Sequence, residues 1–121
     1  MARLYYLLSL LSILFFSVGV GFSQCQDCIP DTNCSSPDGM PSVCPNELDD
    51  ATAGEYYSSI ATFYMPSYVE VDGIEASLIS VSLASMTGVP FGLEIVPNNP
   101  AGVYYPSSGE NHGCVTICGT P

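Results

Sequence analysis

The residues with the greatest chemical capacity in this chain are six cysteines: Cys25, Cys28, Cys34, Cys44, Cys114 and Cys118. Their spacing is C-x2-C-x5-C-x9-C, then a gap of 69 residues, then C-x3-C. An even number of thiols in an exported chain points to disulfides, with the connectivity left open. The first four lie in a segment rich in Pro, Ser, Asp and Asn, which has little apolar periodicity and needs cross-links to be ordered. The last two flank a strand-like run, so at least one bridge is expected to tie the cysteine-rich head to the body. A Cys44–Cys114 bridge would close a loop of about 70 residues and contribute roughly 4 kcal/mol by chain entropy. Zinc is the competing chemistry, with Cys25 and Cys28 as one half-site and His112, Cys114 and Cys118 as the other. The C-x3-C half is an unusual zinc spacing and exported thiols meet an oxidising environment, so disulfides are the expected state. His112, the only histidine, is then expected in an exposed loop.

Carboxylates are the second resource. "DTNCSSPDG" opens like a calcium loop at Asp31 and Asn33, then fails: Ser36 stands where glycine is needed and the closing glutamate is missing. Asp49, Asp50 and Glu55, and Glu70, Asp72 and Glu75, are further oxygen clusters, read first as solvated acidic loops. No cofactor is expected, and calcium is an alternative without an assigned site. Ser107, Ser108, Glu110 and His112 lie close in sequence, but no G-x-S-x-G elbow accompanies them. No catalytic residue is assigned, and the chain is not expected to be an enzyme.

Charge narrows the partners. Arg3 is the only Lys or Arg in the 121 residues, against twelve Asp and Glu, for a formal charge of −11. Arg3 precedes an apolar run from Leu4 to Val20 that ends in small residues, the layout of a secretory signal with cleavage before Gln24. The run nears membrane-spanning length, but serines at Ser9, Ser12 and Ser17 dilute it and no basic stop-transfer cluster follows. Without Arg3 the chain holds no Lys or Arg, which excludes phosphate-directed nucleic-acid binding and attachment to anionic lipid. A secreted or cell-surface location is expected, with no membrane insertion after signal removal.

The elements that must position these residues read as strands. "YYSSIATFYM", Tyr56 to Met65, is rich in aromatic and β-branched residues and ends at Pro66. After a turn at Asp72-Gly73, Ser77, Ile79, Val81 and Leu83 alternate with Ser80, Ser82 and Ala84, which predicts one long half-buried strand. "GLEIV", "VYY" and "CVTI" supply further short strands, and "NNPAG" a turn. No stretch has the periodicity of an amphipathic helix. The expected organisation is a signal peptide at 1–23, an irregular cysteine-rich segment at 24–49 and one β-domain at 50–121, together an all-β sandwich.

Three spaced motifs sharpen this expectation: Ala53, Gly54 and Tyr57; Gly88, Pro90, Gly92 and Leu93; and Ile117, Gly119, Thr120 and Pro121. In this order they resemble the immunoglobulin-like, cadherin-like repeats of bacterial surface and secreted proteins. The cysteine-rich head with "GENHGCVTICGTP" also looks like the N-terminal region of large exported proteins of the Type IX secretion class. The resemblance covers roughly Asp50 to Pro121, and cysteines around the closing motif depart from its pattern. It implies a non-enzymatic adhesion, binding or spacer module, whose partners are further domains of the same chain or an extracellular protein or glycan. In such repeats the Gly-Thr-Pro turn leads into further strands, so the sandwich is expected to be incomplete. The 121 residues would then be a fragment of a longer protein, or a partner would supply the missing strand. The alternatives are a complete, stand-alone disulfide-rich effector or inhibitor and, less favoured, a hydrolase.

Overall fold

The structure, a computed structural model, describes residues 25–121. The expected signal peptide, with Arg3 and the cleavage point before Gln24, lies outside the described residues. Eight strands follow in order: β1 Ser42–Cys44, β2 Tyr57–Tyr64, β3 Tyr68–Val71, β4 Ile74–Ser77, β5 Val81–Ser82, β6 Leu93–Pro97, β7 Val103–Tyr104 and β8 His112–Gly119. Among the described residues the only helical element is a single 3-10 turn, Pro106–Ser108. No helix among them is long and apolar enough to cross a membrane. The fold is all-β, as the punctuated short strands predict.

A four-stranded antiparallel sheet in the order β1-β2-β8-β6 forms the centre. β2 and β8 pair along their full length, Tyr57 opposite Gly119 through Tyr64 opposite His112. Side chains alternate across a strand, so this register sorts them cleanly. Ala61, Phe63, Val115, Ile117, Leu93 and Ile95 share one face and form the apolar core, joined by Leu83 from beyond β5. Thr62, Cys114, Thr116 and Cys118 occupy the opposite face. The pairs β3–β4 and β5–β7 are separate two-stranded sheets.

β8 is buried on both faces from Gly113 to Cys118, yet its sequence is not a continuous apolar run. Its polar face is instead capped by the cysteine-rich segment. Cys25 bonds to Cys118, Cys28 to Cys114 and Cys34 to Cys44. Two bridges therefore tie head to body, as expected. The Cys44–Cys114 pairing does not occur, because Cys44 on β1 and Cys114 on β8 are separated by β2, and the nearer Cys34 reaches Cys44. The segment expected to be irregular also contributes β1, which pairs with β2 from Ser42 opposite Tyr64 to Cys44 opposite Thr62. Buried hydroxyls are costly unless they bond. Here Thr116 Oγ1 donates to the Gln26 carbonyl at 2.7 Å, and Thr62 Oγ1 accepts from the Asp31 N–H at 3.0 Å.

The long alternating strand expected after Asp72-Gly73 is broken. β4 ends at Ser77; the Leu78 N–H still donates to the Ser67 carbonyl at 2.8 Å, in register with β3, but the Leu78 carbonyl turns to accept from the Ser107 N–H at 3.1 Å. The inward face slips there by one position: Leu78 is half-buried and Ile79 is 69 % exposed. The chain then joins the other ribbon as β5. Period two in the sequence persists across a break that only tertiary hydrogen bonds impose.

Candidate functional site

His112 does not lie in a free loop. It opens β8, is half-buried, and its Nε2 lies 2.8 Å from the Cys34 carbonyl oxygen. Its ring sits tilted against Tyr64, with centroids 5.3 Å apart. Glu110 and His112 line one cleft of about 370 Å³, together with Asn98, Asn99, Tyr104 and Asn111. Ser107 and Ser108 do not line it; they belong to the 3-10 turn. The structure thus brings together the acid and the imidazole of the sequence-level cluster and leaves out the nucleophile.

The polar groups of this cleft are engaged in holding the chain. Glu110 Oε2 accepts the Tyr105 N–H at 2.8 Å. Asn111 Nδ2 donates to the Met65 carbonyl at 2.8 Å and to Ser67 Oγ at 3.1 Å. Asn98 Oδ1 accepts from the Tyr104 hydroxyl at 2.8 Å and from the Cys114 N–H at 3.0 Å. Tyr104 is 2 % exposed, and desolvation, reinforced by the charge of Glu110, raises its pKa above the ordinary phenol value. The asparagines were not singled out from the sequence. The Asn98-Asn99 pair before Pro100 carried a turn signal, but nothing local announces a partner 16 residues downstream.

All six cysteine sulfurs are in disulfides, so the thiolates that a zinc site would need are consumed. Among the described residues no three His, Cys, Asp or Glu side chains form a ligand group. Asp31 Oδ1 accepts from both the main-chain N–H and the side-chain amide of Asn33, an Asx turn in place of a calcium loop. Asp49 and Asp50 flank a second opening, and Glu70, Asp72 and Glu75 lie on the β3–β4 hairpin.

On the core face an apolar cavity of about 340 Å³ opens between the main sheet and the β5–β7 ribbon, bordered by Val43, Phe63, Leu83, Met86 and Tyr104. Phe63 and Tyr104 meet edge to face at 5.1 Å in its wall. The three sequence motifs converge at one end of the sheet. The Gly54 N–H donates to the Pro121 carbonyl at 2.8 Å. Gly92 and Gly119, with φ of 93° and 138°, approach so closely that a Cβ on either would collide with main-chain oxygen of Thr120 or Gly92. Glycine is required at both for conformation and for space. Comparison with known protein families, curated proteins and solved structures returned no match.

Proposed function

We propose that this chain is a non-enzymatic extracellular module of immunoglobulin-like, cadherin-like type, serving as a binding or spacer unit of a secreted protein. The observation that carries the reading is the commitment of the polar cleft: Asn111 and His112 hold the distant carbonyls of Met65 and Cys34, and Glu110 holds the Tyr105 N–H within its own loop. A general base or nucleophile must be free to meet substrate. The convergence of Gly54, Gly92 and the Gly119-Thr120-Pro121 turn supports the family resemblance. Three disulfides fit an oxidising, extracellular setting.

The test presents the disulfide-intact protein to an array of extracellular proteins and glycans, and in parallel to chromogenic ester, peptide and glycoside substrates. Saturable binding that is lost on reduction, with no turnover, is the expected result. Turnover abolished by His112→Ala at unchanged melting temperature would overturn the reading. A small stand-alone effector or inhibitor is the second reading, favoured by all three bridges closing within residues 25–121. The intact mass of the secreted protein separates the two.

A further inference from the structure

The β3–β4 hairpin is firmly rooted and otherwise bare. At its base Ser67 Oγ donates to the Pro106 carbonyl at 2.9 Å, Asn111 reaches Ser67 and Met65, and Leu78 is held by Ser67 and Ser107. Beyond that clamp every residue from Glu70 to Ser77 is exposed. Asp72 and Gly73 turn the chain with φ of 53° and 77°, the geometry of a tight two-residue hairpin loop. The register places Val69, Val71, Ile74 and Ala76 on one face and Tyr68, Glu70, Glu75 and Ser77 on the other.

Both faces are energetically uncomfortable in the free protein. Val71 is 57 % and Ile74 70 % exposed, forming a continuous apolar stripe in water. Glu70 and Glu75 stand directly opposite each other, an arrangement that destabilises a strand pair. No Lys or Arg occurs among the described residues to relieve them. A two-stranded ribbon is at best marginal in water, whereas a third strand adds ladder bonds and apolar cover. The residues flanking a two-residue loop bond to each other, here Val71 and Ile74. The next pair therefore turns its N–H and C=O groups away from the partner strand, and Glu75 presents both to the open edge of β4.

Resting on the binding-module reading above, we propose that the outer edge of β4 receives an extended strand from a partner protein. That strand carries branched aliphatic residues on one face and Lys or Arg on the other. Its main chain bonds to Glu75, its aliphatic side chains cover Ile74 and Ala76, and its cation lies beside the opposed glutamates. This is strand addition with charge complementarity supplying the choice of partner. A second copy of this chain would bring only further carboxylates to the same edge, so the occupant is a different, basic polypeptide.

The test follows amide shifts of the ¹⁵N-labelled, disulfide-intact chain on titration with a short capped peptide of alternating valine and lysine. An alternating valine and glutamate peptide is the control. Shifts centred on Tyr68–Ser77 with the lysine peptide alone are expected. Glu75→Pro removes the outward N–H together with one carboxylate and should weaken binding more than about tenfold, whereas Glu75→Gln, which removes the charge and keeps the N–H, should cost less. Ile74→Thr, which leaves the main chain intact, should weaken it as well, and Glu75→Lys should switch preference to the glutamate peptide. Shifts spread over the acidic surface, or affinity indifferent to both Glu75→Pro and Ile74→Thr, would overturn the proposal. Self-association of the free chain through β4 would also overturn it, by making a second copy the occupant. A hairpin that stays silent while the extracellular array finds a ligand sinks this inference and leaves the broader reading standing.

Discussion

His112 Nε2 lies 2.8 Å from the carbonyl oxygen of Cys34, joining two residues 78 positions apart. The bond links the start of the central strand to the cysteine-rich segment beside the Cys34–Cys44 bridge. A histidine that serves as a fastener loses stability on substitution, not turnover. His112→Ala should cost about 1 kcal/mol, a drop in melting temperature of roughly 4–8 °C for a domain of this size, read by thermal denaturation.

The two long bridges are nested, Cys25–Cys118 outside Cys28–Cys114, with sequence separations of 93 and 86. Each alone restricts the unfolded chain by about 4–5 kcal/mol. With one in place, the other closes only the short circuit through Cys25–Cys28 and Cys114–Cys118. Replacing either pair by alanine should therefore cost about 2–3 kcal/mol, and replacing both should cost well over twice that. Chemical denaturation of the three variants measures the difference, and simple additivity would contradict the nested circuit.

Gly113 faces Phe63 and Tyr104 so closely that an added Cβ would meet Phe63 Cζ at 2.6 Å and Tyr104 Cε1 at 2.7 Å. Those rings form the wall of the core cavity and cannot both retreat without opening it. Gly113→Ala should destabilise the fold by about 1–3 kcal/mol, the usual cost of overpacking. Gly109→Ala, with open space around its Cβ but φ of 99°, should cost less, through backbone strain alone. Equal losses in a denaturant titration would argue against the aromatic wall as the cause.

Tyr104 gives stability a pH dependence at the alkaline end. Its folded-state pKa is raised by desolvation and then by Glu110, so the unfolded chain ionises first as pH climbs. The stabilisation is fully present below the ordinary phenol value of 10.0 and is lost as pH rises through the higher folded value. Tyr104→Phe should be less stable near neutrality, having lost the bond to Asn98, but should show a shallower decline above that pH. Urea melts across the range would reveal parallel curves if Tyr104 were not the titrating group.

Self-repulsion sets the salt response. With twelve carboxylates and no Lys or Arg beyond Arg3, screening should raise the melting temperature steadily with sodium chloride. Calcium at equal ionic strength should add nothing beyond this if the acidic residues act only as a diffuse field. A calcium-specific rise, reversed by chelator, would locate a bound ion instead.

Much of the architecture follows from short-range pattern. Strands β2 and β6 and the turn before β7 lie where the β-branched residues and the Gly/Pro punctuation put them, because alternation and turn chemistry act over a few residues. The use of the cysteines in disulfides and the lack of any Lys or Arg beyond Arg3 were likewise legible in composition. Tertiary structure decided which sulfurs meet, since pairing depends on which strand lies between which: β2 separates Cys44 from Cys114, and Cys34 reaches Cys44. It also broke the apparent strand at Leu78, where the carbonyl leaves the β3–β4 ladder for the Ser107 N–H despite an unbroken period of two. A long-range bond to Cys34 turned His112 from a member of a chemical cluster into a fastener, and a short-range one to Tyr105 did the same for Glu110. Local sequence determines which residues become strand or turn; hydrogen bonds and bridges between distant residues determine what each polar side chain is free to do.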